Sequence, residues 1–138
     1  MDEQSSDVPK GELPLVLRKT PPQRQHIARS MISHRTDAVS GIWWELVDAA
    51  AAPEQPAMAV ALTHNGAGGR VTVSALGARH ANAEHVYAEL LRGLLAALRR
   101  HDADTVIVHA ADQAVVGALL EVGFLPAPDD GDRYLIVL

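Results

Sequence analysis

The sequence predicts an α/β (α+β) fold: one mixed sheet of about six or seven strands, an antiparallel meander first, then a parallel strand pair joined by a helix, with helices on both faces. Three observations predict it. Three runs before residue 80 alternate with period two, as strands do when one face meets a core. From Asn82 the apolar period lengthens to about 3.6 residues, the repeat of a helix. Beyond that helix TVIVHA, Thr105 to Ala110, is apolar without interruption, as expected of a strand covered on both faces.

Leu13 to Lys19 is a short apolar run closed by Thr20-Pro21-Pro22. The prolines stop a strand and suit the first turn of a helix, with Thr20 as its N-cap. In PPQRQHIARSMISHR that helix places Ile27, Met31 and His34 on one side and frays near Thr36. Gly41 to Asp48 reads as a strand because Ile42, Trp44 and Leu46 alternate with Trp43, Glu45 and Val47, despite the helix-favouring alanines after it. The two tryptophan rings then face opposite sides, one in the core and the other under a helix or along a groove. Pro53 and Pro56 form a turn, and AMAVALTH sets Met58, Val60, Leu62 and His64 on one face. The loop HNGAGG is a hairpin, since it precedes a strand and not the helix that a phosphate cradle requires. RVTVSAL, Arg70 to Leu76, completes the meander.

In the next helix Val86, Leu90, Leu94 and Ala97 or Leu98 align, with Tyr87, Leu91 and Leu95 beside them. Arg99, Arg100 and His101 suit the negative end of its dipole. A strand on each side of this helix requires a right-handed crossover and parallel pairing. Asp112 caps a third helix that buries Val115, Ala118, Leu119 and Val122 and ends in Gly123-Phe124, a glycine C′ residue and an apolar C″ residue. A short run, a polar turn at Asp129 to Asp132 and a buried strand from Arg133 to Leu138 follow. If that strand lies at an edge, it is the seam of a homodimer.

With 138 residues the chain can remove roughly 65–70% of its unfolded surface from water in one core. Met1 to Glu12 is acidic and polar, expected as a disordered tail before a domain spanning residues 13–138. It has no resemblance to a secretory signal. Net charge is −5 and no basic block stands apart, which argues against nucleic acid as partner. No apolar run reaches the ~20 residues of a membrane span. Cysteine is absent, so thiolate catalysis and disulfides are excluded and a cytoplasmic setting is expected. His80 and His85 straddle a strand-to-helix junction and lack the spacing of a zinc pair, so no metal is expected.

The order of elements, with TVIVHA, the capped ADQAVVGALLEVGF and the closing RYLIVL, resembles the Gcn5-related N-acetyltransferase fold from Leu13 onward. The resemblance implies transfer of an acetyl or other acyl group from acetyl-CoA or another acyl-CoA to the amine of a small molecule or a protein. It implies cofactor contacts from Leu76, Gly77 and Ala78 before the helix, from Asn82, His85, Val86 and Tyr87 in it, and from Asp112. The family pattern is Gln or Arg, two residues, Gly, one residue, then Gly or Ala. It falls near Asn82, His85 and Tyr87, and none of the three matches. Glycine lets backbone amides approach a phosphate, so this degenerate motif predicts weak binding of acetyl-CoA. Leu119 stands where many members carry a proton-donating tyrosine. The same departures leave open a non-catalytic module that binds another ligand or a protein.

His80 and His109 follow the carboxyl ends of neighbouring parallel strands, where α/β sheets bind ligands, and Asp48 ends a strand at the same side. Imidazole and carboxylate there can take a proton from an amine nucleophile. The alternative is that all three are solvated loop residues.

Overall fold

The computed structural model describes residues 15–32, 41–50, 52, 54–79, 83–110, 112–128 and 130–138. Expectations that fall on residues 1–14, on His34 and Thr36, on Pro53 or on His80 and Asn82 lie outside them. Among the described residues seven strands form one sheet in the order β1-β2-β3-β4-β5-β7-β6. They are β1 (Leu15–Lys19), β2 (Ile42–Asp48), β3 (Ala59–Asn65), β4 (Arg70–Ala78), β5 (Thr105–His109), β6 (Leu125–Ala127) and β7 (Asp130–Val137). Strands β1 to β4 form the antiparallel meander, β4 and β5 are parallel, and β7 runs antiparallel to both β5 and β6. The helices are α1 (Gln25–Ser30), α2 (Ala83–Arg100) and α3 (Gln113–Val122). No described helix is long and apolar enough to cross a membrane.

Two cores lie on the two faces. The larger joins Trp44, Leu46, Val71, Val73, Val106 and Val108 of the sheet to α2 and α3, with Leu90, Leu91, Leu94 and Leu119 wholly buried. The smaller joins Trp43, Val47, Val60 and Leu62 to Ala28 of α1. Both tryptophans are therefore core, on opposite sides as their adjacent positions require. Trp44 Nε1 donates to Thr63 Oγ1 at 2.9 Å, which satisfies a ring N–H in a dry interior. Asp112 caps α3 as expected, its Oδ1 accepting from Ala114 N at 2.8 Å. Gly123 closes it with φ 116°, and the amides of Gly123 and Phe124 both donate to Leu119 O. Phe124 is then driven into the core.

The structure corrects several local expectations. Thr20 does not cap the first helix. Its N–H still donates to Trp43 O at 2.8 Å, so it belongs to the sheet, and the chain enters a 3₁₀ turn, Pro22–Arg24, through Pro21. Helix α1 ends at Ser30, whose hydroxyl donates back to Ile27 O at 2.6 Å. Its inward residue is Ala28, while Ile27 and Met31 are half-buried. Met58 precedes β3 and packs on the larger core, whereas Val60 and Leu62 join the smaller one. Strand β7 begins at Asp130 instead of Arg133, because Ala127 pairs with Asp130 and Ala110 N donates to Asp132 O at 2.8 Å. It is buried on one face only: Tyr134 is interior but Val137 is 73% exposed. Strand β7 also has neighbours on both sides, so the condition for a seam along it is not met; the outer position belongs to β6.

One position fixes how α1 meets the sheet. A Cβ on Gly77 would collide with the carbonyl oxygen of Met31 at the end of α1. Both groups are backbone, which cannot swing aside. Gly77→Ala is expected to cost about 1–3 kcal/mol, as overpacking does, read as a lower urea midpoint at constant slope; an unchanged midpoint would show that α1 is free to lift.

Candidate functional site

The site begins with one extra residue. Along β3 and β4 Leu62 pairs with Ala75 and Thr63 with Val73, so Ser74 has no partner across the ladder. Such a bulge bends its strand. It also reverses the side-chain alternation: Val71 and Val73 face the larger core, Ala75 the smaller. Parallel pairing of β4 with β5 stops at the same place, at Val73 with Val108. Past it β4 runs on to Ala78, among the described residues paired with β3 alone, so that its other edge has no described partner.

Below this divergence lies a cavity of about 550 Å³, the size of a small-ligand site. Its walls are Leu76, Gly77, Ala78 and Arg79 at the end of β4, Ser30 and Met31 from α1, Ala83 and Tyr87 from the first turns of α2, and Asp112 and Ala114 at the head of α3. Five of the anticipated cofactor residues therefore meet in one place: Leu76, Gly77, Ala78, Tyr87 and Asp112. Val86 is turned into the core at 4% exposure, and His85 is exposed.

Tyr87 is only 8% exposed. Burial raises its phenol above the ordinary 10.0, and the negative charge of Asp112 raises it further. The phenol is therefore neutral near pH 7 and can donate a hydrogen bond. Since the fold prefers the protonated form, the stability this contributes is present below pH 10 and is lost as pH rises through the raised value. Leu119 is wholly buried and offers nothing to the cavity.

Of the anticipated acid–base residues, His109 and Asp48 are described, and they stand at the ends of different strands, β5 and β2. His109 is exposed at the end of β5, opposite Arg133. Asp48 accepts from Ala50 N at 2.8 Å and lines a separate cavity with Arg18 and Arg24. Among the described residues no group of three or more His, Asp or Glu can hold a metal ion.

Two features escape the sequence reading. Arg79, one residue past β4, lines the cavity with Nη1 3.7 Å from the Met58 sulfur; its place directly after a strand end was the available signal. Glu45, 1% exposed, accepts from Arg18 Nε at 2.7 Å and from Arg24 Nε at 3.0 Å, and Arg24 Nη2 donates to Gln55 O at 2.9 Å. The partners lie 27 and 21 residues away, a separation that leaves no local pattern.

No protein-family model matches the sequence, and no curated protein matches it either. Solved structures do match. An IAA acetyltransferase from Bacillus cereus superposes with a TM-score of 0.68 at 11% identity, over 91% of this chain and 100% of that one. An acetyltransferase of the GNAT family from Staphylococcus aureus gives 0.66 at 10% identity, over 91% and 99%. A chain of the NatC complex bound to Gag peptide and CoA gives 0.62 at 10% identity, over 90% and 97%. Superposing over 90–91% of its own length and 97–100% of theirs, the chain has the fold of the Gcn5-related N-acetyltransferases.

Proposed function

We propose that the protein transfers an acyl group from a CoA-type thioester to an amine of a small molecule or a protein, in the cytoplasm. The observation that carries this reading is the divergence of β4 from β5 over a cavity that reaches the start of α2. The open edge of β4 presents backbone N–H and C=O groups, which suit the amides of an extended pantetheine arm as another strand would. Those N–H groups can also polarise a thioester carbonyl lying along the edge. The amine nitrogen attacks the carbonyl carbon, the C–S bond breaks, and the proton lost by the amine goes to the departing thiolate. His109, at the end of β5, is the proposed relay for that proton, with His80 as an alternative, because imidazole exchanges protons near neutrality. Asp48 faces the other cavity and has no assigned part.

Amine-dependent release of thiol from a panel of acyl thioesters tests the reading. No release from any donor, with any amine, would favour the binding-module alternative, which the tyrosine in the cavity and the leucine at position 119 support. Acetyl-CoA itself is expected to bind weakly, because Tyr87 stands where close backbone approach to a phosphate is needed. Low micromolar ligand should leave the melting temperature within about a degree, since stabilisation follows RT ln(1 + [L]/Kd). A shift of several degrees would show an open phosphate seat. Tyr87→Gly should then strengthen CoA binding at least several-fold by calorimetry, despite a helix cost of up to about 1 kcal/mol. No gain in a folded variant would show that the tyrosine is not the obstruction.

A further inference from the structure

We propose that this cleft selects thioesters whose carrier arm is uncharged, of the acylated pantetheine class, over those that end in a phosphorylated nucleotide. The inference rests on the acyl-transfer reading and names its donor. Its basis is the charge and filling of the cleft mouth between α2 and α3. Among the described residues lining the cavity, Asp112 is the one anion and Arg79 the one cation. Beside them Glu84, in the first turn of α2, lays its carboxylate against Gly117 of α3, so close that a Cβ on Gly117 would collide with it. Asp112 lines the cavity and Glu84 lies outside it on the flank of α3, so the starts of α2 and α3 together carry two carboxylates near the single arginine of the lining. A phosphate group brings up to two negative charges, and a pyrophosphate with a further phosphate brings more. Near a helix N-terminus such charge is normally welcome, but here Glu84 and Asp112 already occupy the two helix starts. Tyr87 adds bulk at the same place, with a neutral hydroxyl that can donate to an amide or hydroxyl oxygen. An uncharged arm loses nothing at this mouth and keeps every contact along the open edge of β4.

Calorimetry of the full chain with S-acetylpantetheine and with acetyl-CoA, at low and moderate salt, tests this. Binding of S-acetylpantetheine at least tenfold tighter than acetyl-CoA is the expected result, with the gap narrowing as salt rises. Equal or tighter binding of acetyl-CoA overturns the inference and leaves the acyl-transfer reading standing. Failure of both to bind overturns that reading together with it. The variant Glu84→Gln/Asp112→Asn removes both charges while asparagine keeps the α3 cap. It should shift the ratio of the two affinities toward acetyl-CoA by threefold or more; an unchanged ratio in a folded variant would refute exclusion by charge.

Discussion

A protein lacking its last five residues, Tyr134 to Leu138, is expected to show no cooperative thermal transition. Strand β7 lies between β5 and β6, so its loss strips a partner from each. Val106 and Val108 of β5 pair with Ile136 and Tyr134, and both valines are essentially sealed from water. The final residue matters too: Leu138 N donates to Asp104 O at 2.8 Å and its side chain packs on the larger core. Each large side chain withdrawn from water contributes roughly 1.5–3 kcal/mol, and whole domains are stable by only about 5–15 kcal/mol. Loss of Tyr134, Ile136 and Leu138, with exposure of the valines beneath, is enough to remove that margin. Circular dichroism melting decides it. A truncated protein that melts at the full-length temperature would mean that β7 is an accessory strand.

The second large effect is expected at Glu45. Glu45→Ala should destabilise by about 3–5 kcal/mol, the usual result of removing one partner from a buried ion pair. The carboxylate is 1% exposed and faces Arg24, itself 5% exposed, as well as Arg18 at the margin. Without it the Arg24 guanidinium keeps its charge in a space that water barely reaches, while Arg18, its side chain 45% exposed, still meets solvent. Replacing both members, Arg24→Met with Glu45→Met, should recover much of the loss, because the interior then holds no charge at that point. Urea unfolding measures both. A single variant costing less than about 1 kcal/mol would place the pair in solvent, at the strength of a surface bridge.

Those two sites differ in how visible they are in the amino-acid order. Strand β7 was legible as a run of apolar residues, and α2 by its change of period. Asp112 and Gly123-Phe124 marked the ends of α3 because caps are local chemistry between residues a few positions apart. Glu45 was not legible as a buried charge, since its alternation with Trp44 and Leu46 fits an outward residue on a half-covered strand. It is the arrival of the 3₁₀ turn with Arg24 that covers it. The bulge was hidden for a related reason: RVTVSAL reads as unbroken alternation, and Ala75 is small enough to fit either face.

In the candidate site, the strand end and Tyr87 were legible by counting along the chain. His85 and Tyr87 both stand where the family pattern has small residues, yet positions two apart on a helix point about 200° apart. Only Tyr87 lines the cavity. Ser30 and Met31 enter it through the packing of α1 on Gly77, which no pattern near either residue announces.

The extra residue in β4 also bears on which lengths of this chain can be inherited. The hairpin between Asn65 and Arg70 turns through glycines with φ 69° and 74°, and an inserted residue there changes only a tip. Deletion of Ser74 is different in kind. It would leave Val73 opposite Thr63 and Ala75 opposite Leu62, so each side chain keeps its face, but it would remove the bulge that bends β4 where its pairing with β5 ends. The Met31 carbonyl, which tolerates only a hydrogen at Gly77, in turn fixes the count of residues from the bulge to the end of the strand. Among related sequences, gaps should therefore gather at residues 65–69 and avoid residues 70–78, so that a family alignment built without this constraint would misplace the cleft by one residue.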